Sequence, residues 1–254
     1  MIEMRDIKLD YRTPEGHTRL ALSNVDLRVP EGQLLCVVGP SGCGKTSLLN
    51  LMAGFLKPTE GSVLFDGEPV TGPGPDRGVV FQEPTLFPWL TVWGNVAFGL
   101  RRKGCSRRDV TNRTAEALAL VGLAGHEDAY PHALSGGMRQ RAAIARVVVL
   151  EPRAMLMDEP FSALDANARE RLQDELIRIW EETRRTIVYV THSVEEAAYL
   201  GDRVIVVAPP PDSIVDDVTV DIPRRRERGA DVLAFMTSKL RRTLDTLPCC
   251  VPNK

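Results

Sequence analysis

The sequence predicts an α/β fold in which helices flank a parallel sheet and a helical segment is inserted into the core. Two observations support this prediction. Apolar runs typical of buried strands alternate with helical patterns early in the chain and again after residue 153. Between them, residues 84–152 show apolar positions at helical spacing.

Length and composition indicate one large globular domain. The chain has 254 residues, of which 43% are hydrophobic, and a net charge of -2, so no overall attraction to nucleic acid is expected. No apolar run reaches the roughly 18 residues that would span a membrane. The N-terminus alternates like a strand rather than a signal peptide. Five cysteines without metal-type spacing predict a reduced cytoplasmic protein.

The elements of the first α/β part are predicted one by one. Residues 1–30 read as short strands with turns at 14–16 and 30–32. The apolar run 34–38 predicts a buried strand, and 45–53 predict a helix that ends at Gly54. Two further strands are predicted at 62–65, closed by Asp66-Gly67, and at 78–81.

The helical segment is followed by a second α/β part. One helix is predicted by five positions at helical spacing: Val110, Thr114, Ala117, Leu118 and Val121. Another begins at Ser135 and is closed off by Pro152. Strands are predicted at 154–157, 186–190 and 203–207, with a helix at 167–183 and a final short helix near the end. Cys249 and Cys250 fit an ordinary tail better than a reactive surface pair.

Gly39 to Thr46 match the phosphate-binding pattern G-x-x-x-x-G-K-[ST] between a predicted strand and a predicted helix. Glycines at this spacing let backbone N–H groups surround the β- and γ-phosphates, and the helix presents its positive end. Lys45 supplies a charge to the phosphate oxygens, and the Thr46 hydroxyl is a hard ligand for Mg²⁺. The pattern therefore predicts nucleotide binding.

Two carboxylates end the predicted strand at 154–157. Asp158 is placed to hold Mg²⁺, through water, and Glu159 to polarise an attacking water molecule. An ordinary acidic turn would have the same composition, but the phosphate loop upstream favours the catalytic interpretation.

A second phosphate-binding helix start is predicted at Ser135. Its hydroxyl caps a helix whose first turn contains Gly136 and Gly137, which leaves N–H groups accessible. Alone, Ser-Gly-Gly is a weak signal and usually a linker. Here a helical sequence, Met138-Arg139-Gln140-Arg141, follows directly.

The order and spacing of these motifs, together with Gln82, residues 162–165 and His192, resemble the ATP-binding cassette of ABC transporters over nearly the whole chain. The resemblance implies an N-terminal antiparallel β subdomain, bound ATP and Mg²⁺, and a head-to-tail dimer with two nucleotides at its interface. It implies that the nucleotide contacts Tyr11, Gly39, Pro40, Ser41, Gly42, Cys43, Gly44, Lys45 and Thr46, with Tyr11 stacked on adenine.

The remaining roles are also implied by the resemblance. Residues of the opposite subunit would complete the site: Ser135, Gly136, Gly137 and Asp165. Glu159, His192 and Gln82 would be catalytic, and Thr46, Gln82 and Asp158 would hold the metal. Two alternatives stay open: Tyr11 as a strand-end aromatic and His192 as a surface histidine. Ser193 departs from the aspartate that the family most often has there.

Within the family, residues 72–83, 87–90 and 95–100 are similar to the nitrate, sulfonate and taurine importers. The Pro-Trp segment after Gln82 would pack against a helix of a transmembrane permease. The alternative is that Phe87, Trp89 and Trp93 belong to the core of the helical segment. Residues 222–226 and the final helix also fit this group, and their basic run reads as a solvated bend rather than a lipid-binding patch. Residues 209–212 depart from the turn usual there.

The resemblance implies one cassette over residues 1–254. Its α/β core and β subdomain would take 1–83 and 153–220, the helical subdomain 84–152 and a C-terminal extension 221–254. The expected function is ATP hydrolysis for an importer at the cytoplasmic face of the inner membrane, with permease subunits and, indirectly, a solute-binding protein. The alternatives are an exporter or lipoprotein-extraction ATPase and a soluble cassette protein acting on DNA or ribosomes.

Overall fold

A computed structural model describes residues 1–12, 16–162 and 164–247. The predicted turn residues Pro14 and Glu15 lie outside this range, as do Cys249 and Cys250. The elements in chain order are β1 Ile2–Arg12, β2 Thr18–Val29, β3 Leu34–Val38, α1 Lys45–Ala53, β4 Glu60–Phe65, β5 Glu68–Pro69, β6 Arg77–Val80, α2 Val92–Arg102, α3 Arg107–Leu120, a 3₁₀ turn Pro131–Ala133, α4 Gly136–Val148, β7 Ala154–Asp158, α5 Ala166–Thr183, β8 Thr186–Thr191, α6 Val194–Leu200, β9 Arg203–Val207, β10 Ile214–Thr219 and α7 Asp231–Asp245.

These elements fall into two compact units. The first unit combines Met1–Gly74 with Arg184–Lys254, and the second is Pro75–Thr183. The predicted division of the cassette into subdomains stays a prediction. None of the helices in the described ranges is both long enough and apolar enough to cross a membrane.

An antiparallel sheet with the strand order β2-β1-β4-β5 forms part of the first unit. Ile2 faces Val29 on β2 and Phe65 on β4, so all three side chains are buried together. The turn between β4 and β5 uses Asp66 at φ 53° and Gly67 at φ 84°. Both angles are left-handed, as a type I′ hairpin turn requires.

A parallel arrangement of three strands forms the other layer of the first unit. β3 lies between β8 and β9 and is parallel to both, while β10 pairs antiparallel with β9 at the edge. All residues of β3 and β8 are buried, which is the environment that a continuous apolar run predicts. Parallel strands place their carboxyl ends at one edge of the sheet. The phosphate loop follows β3 at this edge, and His192 follows β8.

The second unit joins a parallel strand pair to the helical segment. β6 pairs with β7 from Arg77↔Ala154 to Val80↔Met157. α2 packs against α3 and α4, and Gly99 of α2 permits a close approach. A Cβ at Gly99 would lie 2.6 Å from Cδ2 of Leu150, closer than van der Waals contact allows.

The predicted α/β class is confirmed, and the strands and helices predicted singly all appear within a few residues of their predicted bounds. The N-terminal strands are longer than predicted, and β5, α2, the 3₁₀ turn, α6 and β10 were not predicted singly. The solvated bend predicted for the basic run is wrong for two of its arginines. Arg226 is 8% exposed and Arg224 is half-buried, because backbone carbonyl groups of the first unit accept their hydrogen bonds.

Candidate functional site

Glycine is required by geometry at several positions of the phosphate loop. A Cβ at Gly39 would lie 2.2 Å from the carbonyl oxygen of Val207 and 2.8 Å from Sγ of Cys43. Gly42 and Gly44 have φ of 79° and 101°, and a Cβ at Gly44 would meet Leu22. The loop therefore holds its curved backbone because these positions lack side chains.

Lys45 is the first residue of α1 and is 6% exposed. Its Nζ donates to the carbonyl oxygens of Gly39 at 2.8 Å and Pro40 at 2.9 Å, so the ammonium group lies inside the curve of the loop. Thr46 is exposed beside it, and the first turn of α1 carries no acidic residue. The first backbone N–H groups of a helix have no intrahelical partner and favour an anion. This half-site can bind phosphate oxygens.

Tyr11 lies next to the helix that follows the phosphate loop. Its hydroxyl is 3.0 Å from Oγ of Ser47, and its side chain is 39% exposed. The contact holds an aromatic ring beside the loop, with part of its surface accessible to a flat ligand. Stacking on adenine stays a prediction that this position supports.

His192 lies at the same strand edge as the phosphate loop. Val38 and Thr191 are partners in the β3–β8 register, so Gly39 and His192 each follow a paired residue. His192 is exposed, and Ser193 after it caps α6 by accepting a hydrogen bond from the Glu196 backbone N–H at 3.2 Å. Serine here performs the capping that aspartate would also perform, so the departure at this position keeps the helix cap.

The two carboxylates and Gln82 are related by register in the second unit. Val80 pairs with Met157, so Gln82 and Glu159 each lie two residues beyond paired positions on neighbouring strands. Asp158 ends β7 and is 7% exposed. Glu159 has φ of 43°, an uncommon value for glutamate, and its carbonyl oxygen accepts from the Ser162 hydroxyl at 3.0 Å. Such backbone outliers cluster at functional sites.

Ser135 begins α4 as predicted, with Oγ accepting from the Met138 backbone N–H at 3.2 Å. Gly137 permits close packing, because a Cβ there would lie 2.7 Å from Cδ2 of Leu164. Asp165 is exposed, and its Oδ1 accepts from the Ala168 backbone N–H. Ala163 of the motif at 162–165 lies outside the described residues. The serine, the glycine and the segment that carries Asp165 are therefore assembled in one place.

Two positioning contacts were not predicted. Gln140 of α4 is 1% exposed, and its Nε2 donates to the carbonyl oxygen of Phe81 at 3.1 Å, which links the Ser-Gly-Gly helix to the residue before Gln82. Asn95 is fully buried and bonds the backbone of the preceding turn through Phe87, Leu90 and Thr91. A buried amide in the motif at 95–100 was the available signal, but its partners could not be read from sequence.

The turn held by Asn95 presents aromatic surface. Trp89 is 71% exposed, with its ring centroid 5.6 Å from that of Phe87. Phe87 in turn lies 4.7 Å from Phe98, which is 41% exposed. Phe87 and Trp93 are half-buried. The interpretation of these aromatics as core is therefore wrong for Trp89, because its neighbours bury too little of the indole.

The predicted Mg²⁺ donors fit that ion chemically. They are the Thr46 hydroxyl, the Gln82 amide oxygen and the Asp158 carboxylate, all hard oxygen ligands. Among the described residues, no group of three or more histidine, cysteine or acidic side chains forms a metal site. Mg²⁺ keeps several water molecules and takes substrate phosphates as ligands, so a cage made by protein alone is not required.

Known ATP-binding proteins are similar to this chain over most of its length. A family model described as ABC transporter matches residues 22–162. The chain is 53% identical to an uncharacterized ABC transporter ATP-binding protein of Methanocaldococcus jannaschii over 213 residues, 84% of this chain and 80% of the relative. It is 48% identical to a taurine import ATP-binding protein of Pelagibacter ubique (83% and 79% covered). It is 46% identical to a nitrate import ATP-binding protein of Synechocystis (89% and 85% covered).

A solved structure supports the same assignment. A dimeric ATP-binding cassette in a post-hydrolysis state, bound to ADP and phosphate, is 31% identical and superimposes with a TM-score of 0.79. The match covers 88% of this chain and all of that one. The predicted family resemblance and the predicted fold are thus confirmed, while the role of each site residue stays a prediction.

Proposed function

Since the chain belongs to the ABC transporter family, whose ATP-binding cassettes hydrolyse ATP, we propose that it powers an importer for a small anion of the taurine, sulfonate or nitrate type. The observation that supports this most directly is its 46–48% identity to ATP-binding proteins named for taurine and nitrate import. ATP would be its nucleotide, and its location the cytoplasmic face of the membrane.

Nucleotide binding would begin at the phosphate loop. Lys45 would exchange its contacts with the Gly39 and Pro40 carbonyl oxygens for the β- and γ-phosphate oxygens. The N–H groups at the start of α1 would surround the same phosphates, and Tyr11 would cover the adenine ring. Mg²⁺, held by Thr46, Gln82 and Asp158, would neutralise charge that develops on the phosphate oxygens.

Hydrolysis would depend on a carboxylate that follows β7 in the second unit and a histidine that follows β8 in the first unit. Glu159 would orient and polarise the attacking water, and His192 would donate to the γ-phosphate. The left-handed φ of Glu159 supports its role, because the strained backbone re-aims the side chain at the end of β7.

A second copy of the chain would complete each site. Ser135, Gly136 and Gly137 would bind the γ-phosphate held by the opposite subunit, and Asp165 would cross the interface. An isolated phosphate loop lacks such a group for the transition state, so hydrolysis becomes conditional on closure. The dimeric state of the solved relative with ADP and phosphate supports this arrangement.

The exposed aromatic turn would receive the permease. Trp89, Phe87 and Phe98 form an apolar surface beside the segment that leads to Gln82. Exposed aromatic clusters of this kind mark protein–protein contacts. Movement of Gln82 on nucleotide binding would thereby be passed to a transmembrane helix. A separate solute-binding protein would deliver the anion to the outer side of the permease.

The proposal is tested by uptake of labelled taurine, an alkanesulfonate and nitrate in cells that lack the gene. Complementation with the wild-type chain should restore uptake of at least one anion, whereas Glu159→Gln should restore none. Loss of a general base lowers turnover about 10²–10⁴-fold, so a variant with a tenth of wild-type hydrolysis would remove Glu159 from this role. Restored efflux of a solute, with no uptake, would favour the exporter alternative.

A further inference from the structure

The side chain of Arg226 lies at the C-terminal end of α6, the helix that follows His192. It is 8% exposed, and its Nη1 donates to the carbonyl oxygens of Ala198, Tyr199 and Gly201 at 2.8, 2.9 and 2.8 Å. These carbonyl groups belong to the last turn of α6 and to the residue after it. Carbonyl groups at a helix C-terminus have no backbone N–H partner within the helix. One guanidinium therefore caps the C-terminus of α6, where its positive charge also interacts favourably with the negative end of the helix dipole.

A second arginine of the same run joins this end of α6 to the strand before the phosphate loop. Arg224 donates to the carbonyl oxygen of Leu200 at 2.5 Å and forms an ion pair with Asp202. The other carboxylate oxygen of Asp202 accepts from the backbone N–H of Leu34 at 3.0 Å, at the first residue of β3. The end of α6 is thus fixed relative to the strand that enters the phosphate loop.

The N-terminal end of α6 is fixed to β8. Glu196 accepts hydrogen bonds from the Thr191 and Tyr189 hydroxyls at 2.6 and 3.1 Å, and Ser193 caps the helix. His192 lies between these two elements, with no residue separating it from either the strand end or the cap. Any rotation or translation of α6 would therefore move the His192 backbone.

We propose that Arg226 is a positioning residue for ATP hydrolysis, which holds α6 so that His192 meets the γ-phosphate. The inference rests on the role of His192 given under the proposed function. Arg226 would act through α6, whose last carbonyl groups it binds. Its removal should lower the rate of the chemical step and leave ATP binding, which uses the phosphate loop, nearly unchanged.

The chain offers a matched control within the same run. Arg225 is exposed and, among the described residues, forms no side-chain hydrogen bond or ion pair. Arg226→Met should lower kcat between about 10-fold and 100-fold, because a displacement of about 1 Å can cost 10²-fold, with KM for ATP changed less than about twofold. Arg225→Met should match wild type. Equal kcat for the two variants would overturn the proposal.

A double-variant cycle distinguishes positioning of His192 from a general structural role. If Arg226 acts through His192, adding Arg226→Met to His192→Ala should lower single-turnover hydrolysis no further. Independent effects that multiply would overturn the proposal. Wild-type hydrolysis by His192→Ala alone would instead remove the catalytic role of His192, which is a failure of the proposed function.

NMR of the histidine side chains gives a readout that does not depend on catalysis. The chain has four histidines, so the His192 imidazole signals can be assigned with His192→Ala. They should shift in Arg226→Met and stay unchanged in Arg225→Met. If Arg226→Met does not fold, Arg226→Lys keeps the charge and three donors on a shorter reach, and it should show a smaller shift and a smaller loss of kcat. Unchanged signals and kcat in a folded Arg226 variant would overturn the proposal.

Discussion

Lys45 donates from Nζ to the carbonyl oxygen of Gly39, 2.8 Å away, inside the loop that Gly39 begins. The ammonium group is thereby held where phosphate oxygens would replace two backbone carbonyl oxygens. A bond to a charged group is worth about 1.5–3 kcal/mol. Lys45→Met should therefore weaken ATP binding about 10-fold to 100-fold.

The fold should tolerate this change. Lys45→Met removes the cost of burying an ammonium group but deprives the Gly39 and Pro40 carbonyl oxygens of their donor. Because these two effects oppose each other, the free energy of unfolding without nucleotide should change by less than about 1 kcal/mol. Equilibrium binding of a fluorescent ATP analogue and urea unfolding measure the two quantities. Lys57→Met, at an exposed position outside the loop, is the control. Unchanged nucleotide affinity in Lys45→Met would contradict the prediction.

Gly137 and Gly136 should respond in opposite ways to alanine. Alanine stabilises a helix position by about 1 kcal/mol relative to glycine. At Gly136 the nearest atom to a new Cβ is Arg139 Nη2 at 3.9 Å, so Gly136→Ala should raise the free energy of unfolding. At Gly137 the Cβ would clash with Leu164 at 2.7 Å, so overpacking should cost about 1–3 kcal/mol. Urea unfolding of the two variants checks this.

A shorter partner should relieve that clash. Leu164→Val withdraws the Cδ2 atom, so it should cost less stability in the Gly137→Ala background than in wild type. A coupling energy of about 0.5–3 kcal/mol is expected for residues in contact. Additive effects of the two substitutions would show that the contact with Leu164 is not the reason why position 137 requires glycine.

Local signals explain which features the sequence predicts correctly. The run at β3, the glycine pattern and the helix after it lie within a few residues of one another, so periodicity and turn chemistry suffice. α6 also carries a local signal at its start, since Ser193 and Glu196 have the spacing of a capping box. Its seven residues are too short to show apolar periodicity.

Contacts between distant segments explain the remainder. Leu164 leaves no room for a side chain at Gly137, and carbonyl groups at 198–201 hold the side chain of Arg226. None of these partners is a sequence neighbour. A run of three arginines resembles a solvated surface in composition, and only the backbone path shows that two of them turn inward. The left-handed φ of 64° at Arg225, between these two, marks that turn.

Cys43 should react slowly with thiol reagents, although it lies in the phosphate loop. Its side chain is 1% exposed, whereas Cys105 is half-buried. N-ethylmaleimide should therefore label Cys105 before Cys43, and without loss of ATPase activity. Labelling of Cys43 should follow more slowly and abolish nucleotide binding, and ATP should slow it further.

Peptide mass spectrometry during inactivation measures the order of labelling. Cys43→Ala should keep ATPase activity within about threefold, because the loop binds phosphate through its backbone, and it should be insensitive to the reagent. Inactivation that tracks Cys105 would contradict the prediction. Cys36 is fully buried in β3, which raises the pKa of its thiol, so it should stay unlabelled in the native protein.

Glu195 should contribute to stability in a pH-dependent way. Partial burial acts to raise the pKa of this carboxyl, but hydrogen bonds from its own backbone N–H and from the Ser193 hydroxyl, with the Arg241 charge, outweigh burial and lower the pKa below 4.5. The folded state thus binds the proton less tightly than the unfolded state. The stabilisation is fully present above about pH 4.5 and is lost as the pH falls through the folded pKa.

Urea unfolding of wild type and Glu195→Gln between pH 7 and pH 3 measures this contribution. The difference in free energy of unfolding should stay constant down to about pH 5 and shrink below it, from a starting value of about 0.2–1 kcal/mol typical of exposed pairs. In an Arg241→Met background the starting difference should be smaller, because the guanidinium that pairs with Glu195 is gone. A difference that grows on acidification would mean that protonation favours the folded state, opposite to the direction argued from the Ser193 and Arg241 contacts.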